Sequence, residues 1–598
     1  MLARLALLAS VLLVRVFAAV GTKRQDWYPY VYVQDSNLWV AYSDSDKKQL
    51  STTGTPESPF DSGYIFLSPD KLHVAAWQYT PAQEHTITLI ESSPADRLEP
   101  RYDTIYYPKP GDAVRIDRPR IFQLATRNEI PTNNTLFLNP YEIKNIGWSP
   151  TSSEYRFVYH ARGHQRLRVL GMGVNGVIRT LVDERSDTFI NYRNKYYCEV
   201  LQDTQELIWA SERDGWNHLY LYDLINGTLK NQITKGNWLV RKVERIDTAT
   251  RRIWVTAFGI IPNQDPYYAH LHRVNLEGTG GKTLTYGGNG TETLGDGDHT
   301  WAFTDNDTRL TDIWSRVDQP ETEVVRDAET GTVLFVKRTP VPTNAASFVE
   351  MFSAPGRDGT TMIYGIIVKP ANFDPAKKYP ILEDIYAGPH EFGTPKSYSE
   401  LDYFRGWAGT DYLLVKVDGM GTNWRSKAFH DACWKNLKDA GFPDRIAWMK
   451  AAAATRPWMD LSRVGIFGGS AGGQNAVAAL LWHGDFYKAA AADSGNHDNR
   501  MDNLPWNEQW MGWPVQKAYE DSSNVVHAGR LQGKLYLSVP MLDRVVDPSA
   551  TYQLVHALNQ AGKDYEFVLL PMAKHSDGFG AYGRGRMEAF FRKHLLEG

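Results

Sequence analysis

At 598 residues the chain exceeds what one hydrophobic core normally supports, so at least two domains are expected, one of which could be a large repeat array. Hydrophobic residues make up 42% and charged residues 22%, with 19 Trp and 32 Tyr, a balance that excludes a disordered chain. The 65 basic and 69 acidic residues leave a formal net charge of -4 and no dense Lys/Arg run, which argues against nucleic acid as a partner.

The first segment, MLARLALLASVLLVRVFAAV, has a basic Arg4, an apolar run and small residues at Ala18 and Ala19. This is the layout of a secretory leader over residues 1–19, and it predicts an extracellular product. An uncleaved membrane anchor is the alternative, but Arg15 interrupts a run already short of the roughly 20 apolar residues a span needs, so no stable anchor is expected. Asn133, Asn226, Asn289 and Asn306 each open an N-x-[ST] sequon, as suits a glycosylated secretory product. Cys198 and Cys433 are too few and too distant for a disulfide framework or a cysteine metal site, and read as buried, inert thiols.

From about Tyr28 to Thr339 the chain repeats short β-rich runs such as NLWVAYSDSDKK, IGWSPTSSEYRFVYH and ELIWASERDGWNHLYLYD. Apolar and aromatic residues alternate with polar ones, and Asp, Asn, Gly and Ser-Pro mark the ends. Nothing between the runs has the length and 3.6-residue period of a crossover helix, so an N-terminal β-propeller over residues 20–344 fits. At about 40 to 45 residues per blade, it would have seven or eight blades. A pair of β-sandwiches is the alternative for the same strand pattern.

After the connecting segment RTPVPTNAASFVE the rhythm changes to strand, loop, helix, and residues 345–598 read as a C-terminal α/β-hydrolase domain. Apolar strands YPILEDIY, DYLLVKVD, RVGIFG, KLYLSVPM and YEFVLLP alternate with helical FPDRIAWMKAAAA, QNAVAALLW, ATYQLVHALNQAG and GRMEAFFRKHLLE. In RVGIFGGSAGGQNAVAALL a strand ends near Phe467, a Gly-rich turn carries Ser470, and a helix begins near Gln474. This is the setting of a nucleophile elbow, with no room for Cβ atoms at Gly468 and Gly472.

A serine hydroxyl needs a base, and hydrolases of this layout supply acid and base from later strand ends in the order Ser, Asp, His. Asp543 follows KLYLSVPM, and His575 follows YEFVLLP. Asp547 competes for the acid role, but Pro548 and the helix after it read as a cap. His556 and His594 lie inside predicted helices.

These residues resemble the prolyl oligopeptidase family, and within it the dipeptidyl-peptidase IV branch, in which a propeller is joined to a C-terminal hydrolase. DIYAGPH, VDGMGTNWRSKAFHD and SERDGWNHLYLYD extend the resemblance over nearly the whole mature chain. It implies that Tyr386 donates its hydroxyl to the oxyanion beside the backbone N–H of Ala471. The branch usually has an aromatic where this chain has Ala471 and an arginine where it has Met420. Its proline-pocket tyrosines give way to residues such as Asp502 and Trp506, and its paired amine-binding glutamates are not found.

His497, Asp498 and Arg500 follow the strand after the nucleophile helix and could hold a substrate terminus, or Asp498 and Arg500 could simply pair. With Asp502, Trp506 and Val546 they form the candidate substrate-binding set. The expected activity is a serine peptidase acting on short peptides, dipeptidyl-peptidase-like, with no metal or cofactor and with a homodimer open. An esterase or acylaminoacyl hydrolase on the same triad, and an inert secreted binding protein, are the alternatives.

Overall fold

The computed structural model describes residues 29–287, 294–341, 348–406 and 411–597. The expected leader, Asn289 and part of the connecting segment lie outside them.

The N-terminal half is a succession of antiparallel sheets, all but one built from strands consecutive in the chain. Tyr30–Gln34, Asn37–Ala41 and Lys47–Gln49 make the first. Four four-stranded sheets span Pro140–Arg185, Cys198–Gln232, Leu239–Thr283 and Asp298–Arg338. A further four-stranded sheet, Phe60–Ile130, carries a hairpin of Thr86–Glu91 and Arg101–Tyr106 between its second and third strands.

The apolar clusters lie between successive sheets. Trp77 and Ile121 meet Ile143 and Phe157, Val158 and Val169 meet Leu207 and Trp209, and Ile208 and Leu221 meet Val240 and Val255. Each inner sheet is therefore covered on both faces, which is why Glu206–Ser211 is buried at every position instead of alternating. Serial face-to-face stacking is the radial arrangement of a propeller and not that of two sandwiches. Six such sheets, together with the two-stranded hairpin inserted in one of them, are present among the described residues.

The C-terminal half centres on one eight-stranded sheet. Its strands are β1 (Val349–Pro355), β2 (Met362–Val368), β3 (Tyr379–Asp384), β4 (Leu413–Asp418), β5 (Met459–Gly469), β6 (Tyr487–Asp493), β7 (Lys534–Pro540) and β8 (Glu566–Leu570), in spatial order β1-β2-β4-β3-β5-β6-β7-β8. From β4 onward all neighbours are parallel, while β2 is antiparallel to both β1 and β4.

Side chains alternate across the sheet. Val415, Val417, Ile466 and Ala490 face helices α1 (Phe442–Ala454), α2 (Ala471–Trp482) and, through Leu554 and Leu558, α4 (Ser549–Gln560). Leu414, Phe467 and Ala491 face Phe590 and Phe591 of α5 (Ala581–Phe591) on the other side. Helix α3 (Leu504–Met511) lies outside this sandwich and closes on the propeller, where Phe189 inserts beside Trp510, Met511 and Cys433.

Candidate active site

The site lies at the C-terminal edge of the parallel strands, where open sheets of this kind place their ligands. Ser470 stands between β5 and α2 with φ 60° and ψ −125°, a conformation costing a non-glycine residue about 1–3 kcal/mol. Helix α2 starts at Ala471, three residues before its expected start, because its first turn is Ala-Gly-Gly packed against backbone. A Cβ at Gly472 would lie 2.3 Å from the Ile385 carbonyl oxygen, and one at Gly468 2.5 Å from the same atom. These two glycines let the loop carrying Tyr386 close onto the elbow. Two bonds pin the loop there: Ile385 N–H to Phe467 O at 2.9 Å, and Ala387 N–H to Asn475 Oδ1 at 3.0 Å.

Asp543 follows β7. Its Oδ1 accepts the Val545 and Val546 N–H groups at 2.8 and 3.0 Å, and its Oδ2 is 2.7 Å from His575 Nδ1, just past β8. Burial pushes the His575 imidazole down, but the hydrogen bond and charge of Asp543 outweigh it and the net shift is upward. Asp547 is turned elsewhere, accepting from Ser549 N–H at 2.9 Å and from Lys109 Nζ at 2.8 Å.

Ser470 lies beside the Tyr386 hydroxyl, and no hydrogen bond joins it to His575 among the described residues, as is common before substrate arrives. Burial pushes the Tyr386 phenol up to about 12, tempered by Ser470, so at neutral pH it keeps a proton to donate. The Ala471 N–H, first in α2, has no intrahelical acceptor. The arrangement offers a nucleophile, a carboxylate-backed base and two donors for an oxyanion. That is the equipment of acyl transfer.

Several contributors were invisible to the sequence reading. Asp493, at the end of β6, is pushed up to about 6 by burial while Ser538 and Ser494 donate to it at 2.6 and 2.8 Å. Ser494 Oγ in turn receives the N–H of Ser576, next to His575, at 3.1 Å.

The propeller also reaches in. After the inserted hairpin, the Tyr107 hydroxyl sits 2.6 Å from Asp502 Oδ1 and 2.7 Å from the Val545 carbonyl. The phenol is the donor toward both acceptors, and burial pushes the Asp502 carboxyl up against the opposing pull of the Tyr107 and Asn507 hydrogen bonds. Lys109 pairs with Asp547, and the Arg162 guanidinium grips Glu508 of α3 with two bonds of 2.9 and 2.6 Å.

The expected substrate-binding set divides. Asp498 pairs with Arg500 at 2.7 Å and accepts from Ser523 at 2.7 Å, so its carboxylate is spent on structure, and His497 is buried against Asn524 at 3.3 Å. Asp502 is saturated by Tyr107, Asn496 and Asn507. Val546 buries its side chain and contributes its N–H to Asp543. Trp506 alone is directed toward Tyr386, through His390. No group of three or more His, Cys, Asp or Glu residues suited to a metal is present among the described residues.

Comparison with known proteins matches residues 26–321 to the dipeptidyl peptidase IV N-terminal region and residues 399–597 to the prolyl oligopeptidase family. Dipeptidyl peptidase 8 of Mus musculus is 30% identical over 234 residues, which is 38% of this chain and 26% of the relative. Dipeptidyl peptidase 4 of Trichophyton rubrum is 22% identical over 529 residues, 83% of this chain and 66% of the relative, so the chain spans less than two thirds of either. The crystal structure of Porphyromonas gingivalis dipeptidyl peptidase 4 superposes with a TM-score of 0.72 at 20% identity, covering 94% of this chain and 81% of that one.

Proposed function

Given that the chain belongs to the prolyl oligopeptidase family, we propose that it is a serine peptidase hydrolysing short peptides by acyl transfer, in the manner of a dipeptidyl peptidase. The observation that carries this reading is the Asp543–His575 pair at 2.7 Å on the same sheet edge as the strained Ser470.

His575 removes the Ser470 proton as the hydroxyl attacks the peptide carbonyl, and Asp543 steadies the imidazolium that forms. Tyr386 and the Ala471 N–H hold the oxyanion, and His575 returns its proton to the departing amine. Water, activated by the same base, then releases the acyl group. The propeller, docked on α3 and on the loop of Asp543, would confine access to short peptides.

A panel of fluorogenic amides tests the class: free-amine X-Pro and X-Ala dipeptides, their N-blocked counterparts and matched esters. Turnover of free-amine dipeptide amides at least tenfold above the blocked ones is the expected result. Hydrolysis of esters alone would overturn the peptidase reading.

The exit route we propose is the secretory one, in keeping with the leader-like N-terminus and with sequons Asn133, Asn226 and Asn306 at exposed positions. Protein made in a eukaryotic host should be recovered from the medium and should lose apparent mass on treatment with an N-glycosidase. Retention in the cell at unchanged mass would refute this.

A further inference from the structure

Tyr386 does not stand alone at the oxyanion position. His390 Nε2 lies 3.3 Å from its hydroxyl oxygen, and on the far side of the same imidazole the indole N–H of Trp506 lies 3.1 Å from Nδ1. An indole nitrogen can only donate, so Nδ1 must accept and carries no proton. The opposite tautomer would set two N–H groups head to head at 3.1 Å. A neutral His390 therefore holds its proton on Nε2 and donates it to Tyr386.

The ring stays neutral because burial pushes it down to about 4 and the charge of Arg193 acts the same way. Its backbone is fixed as well. The His390 carbonyl accepts from Asn423 Nδ2 at 3.1 Å, and the preceding Pro389 carbonyl bonds His430 Nε2 at 2.6 Å.

We propose that His390, its tautomer locked by Trp506, is a positioning residue that fills a lone pair of the Tyr386 oxygen and so turns the phenol proton away from itself toward Ser470 and the forming oxyanion. Received at the oxygen, the same bond strengthens Tyr386 as a donor. The inference rests on Tyr386 serving as an oxyanion donor, and it gives Trp506 a task in the reaction.

The test is a set of kinetic comparisons on the best amide of the panel: His390→Phe, His390→Gln and Trp506→Phe, with His390→Phe repeated in a Tyr386→Phe background. Loss of an oxyanion donor costs about 10²–10³ in kcat, and loss of its aim alone is expected to cost about tenfold. His390→Phe should thus lower kcat about tenfold with KM within about twofold, and should have no further effect once Tyr386 is Phe. His390→Gln keeps an acceptor for Trp506 and a donor for Tyr386, and should stay within about threefold of wild type. Trp506→Phe, which leaves the tautomer free, should lose a few-fold.

Equal losses from His390→Phe in both backgrounds would reduce His390 to packing and overturn the proposal. A full kcat in His390→Phe while Tyr386→Phe is impaired would do the same, with the oxyanion reading intact. An unimpaired Tyr386→Phe would instead overturn the oxyanion reading itself.

Discussion

Replacing Ser470 by alanine is expected to lower kcat by about 10⁶-fold and to abolish labelling by a fluorophosphonate, with the thermal midpoint shifted by no more than a few degrees. The size follows from the order of events. Without the hydroxyl there is no acyl-enzyme, and the oxyanion donors and peptide-binding surface that remain can only assist direct attack by water. Stability should hold because alanine keeps the Cβ and the backbone already tolerates φ 60° at this position. Turnover within tenfold of wild type in a well-folded variant would remove Ser470 from the mechanism. So would labelling that persists at another residue.

Asp543→Asn should cost about 10⁴-fold in kcat through a reversed hydrogen bond, with the geometry preserved. The asparagine carbonyl can still accept the Val545 and Val546 N–H groups, which leaves its NH₂ facing His575 Nδ1. Nδ1 must then accept, the imidazole proton moves to Nε2, and the nitrogen that should take the Ser470 proton is already occupied.

The pH profile carries a second signature. His575 works as a base only when neutral, and Asp543 holds its pKa above the ordinary value, so wild-type kcat/KM should be flat at high pH and fall through a midpoint above about 6.5. With the charge and the hydrogen bond weakened, burial prevails and the midpoint of the variant should move down. A midpoint that stays put would mean that Asp543 is not what raises His575, and the next group to test would be Asp493.

The residues that could be named in advance are those whose surroundings are written in nearby sequence. GGSAGG announces a strained turn because two close approaches to the Ile385 carbonyl forbid side chains at Gly468 and Gly472. Asp543 and His575 could be proposed because each sits just past an apolar strand, and Asp547 could be set aside because Pro548 follows it. The hydrolase strands were legible for the same reason.

What stayed hidden depends on contacts between distant segments. Tyr107 and Asp502 are 395 positions apart, and His390 and Trp506 are 116 apart. No periodicity connects such pairs. For Asp498 and Arg500 two readings were open, a substrate contact or a mutual pair, and the two charges, two residues apart, do pair with each other.

The strip from Tyr107 to Asp112 has a bearing on how such a chain can be divided or recombined. It belongs by sequence to the propeller, but it touches the Asp543 loop through Val545 and Asp547 and touches α3 through Gly111 and Glu508. Cutting the gene at the domain connection would leave Asp543 on a loop stripped of its outer wall. Exchanging propellers between relatives would pair a new strip with an old loop. Functional chimaeras should therefore be found at a seam drawn in space, with residues 107–112 travelling together with α3 and the loop from Asp543 to Asp547.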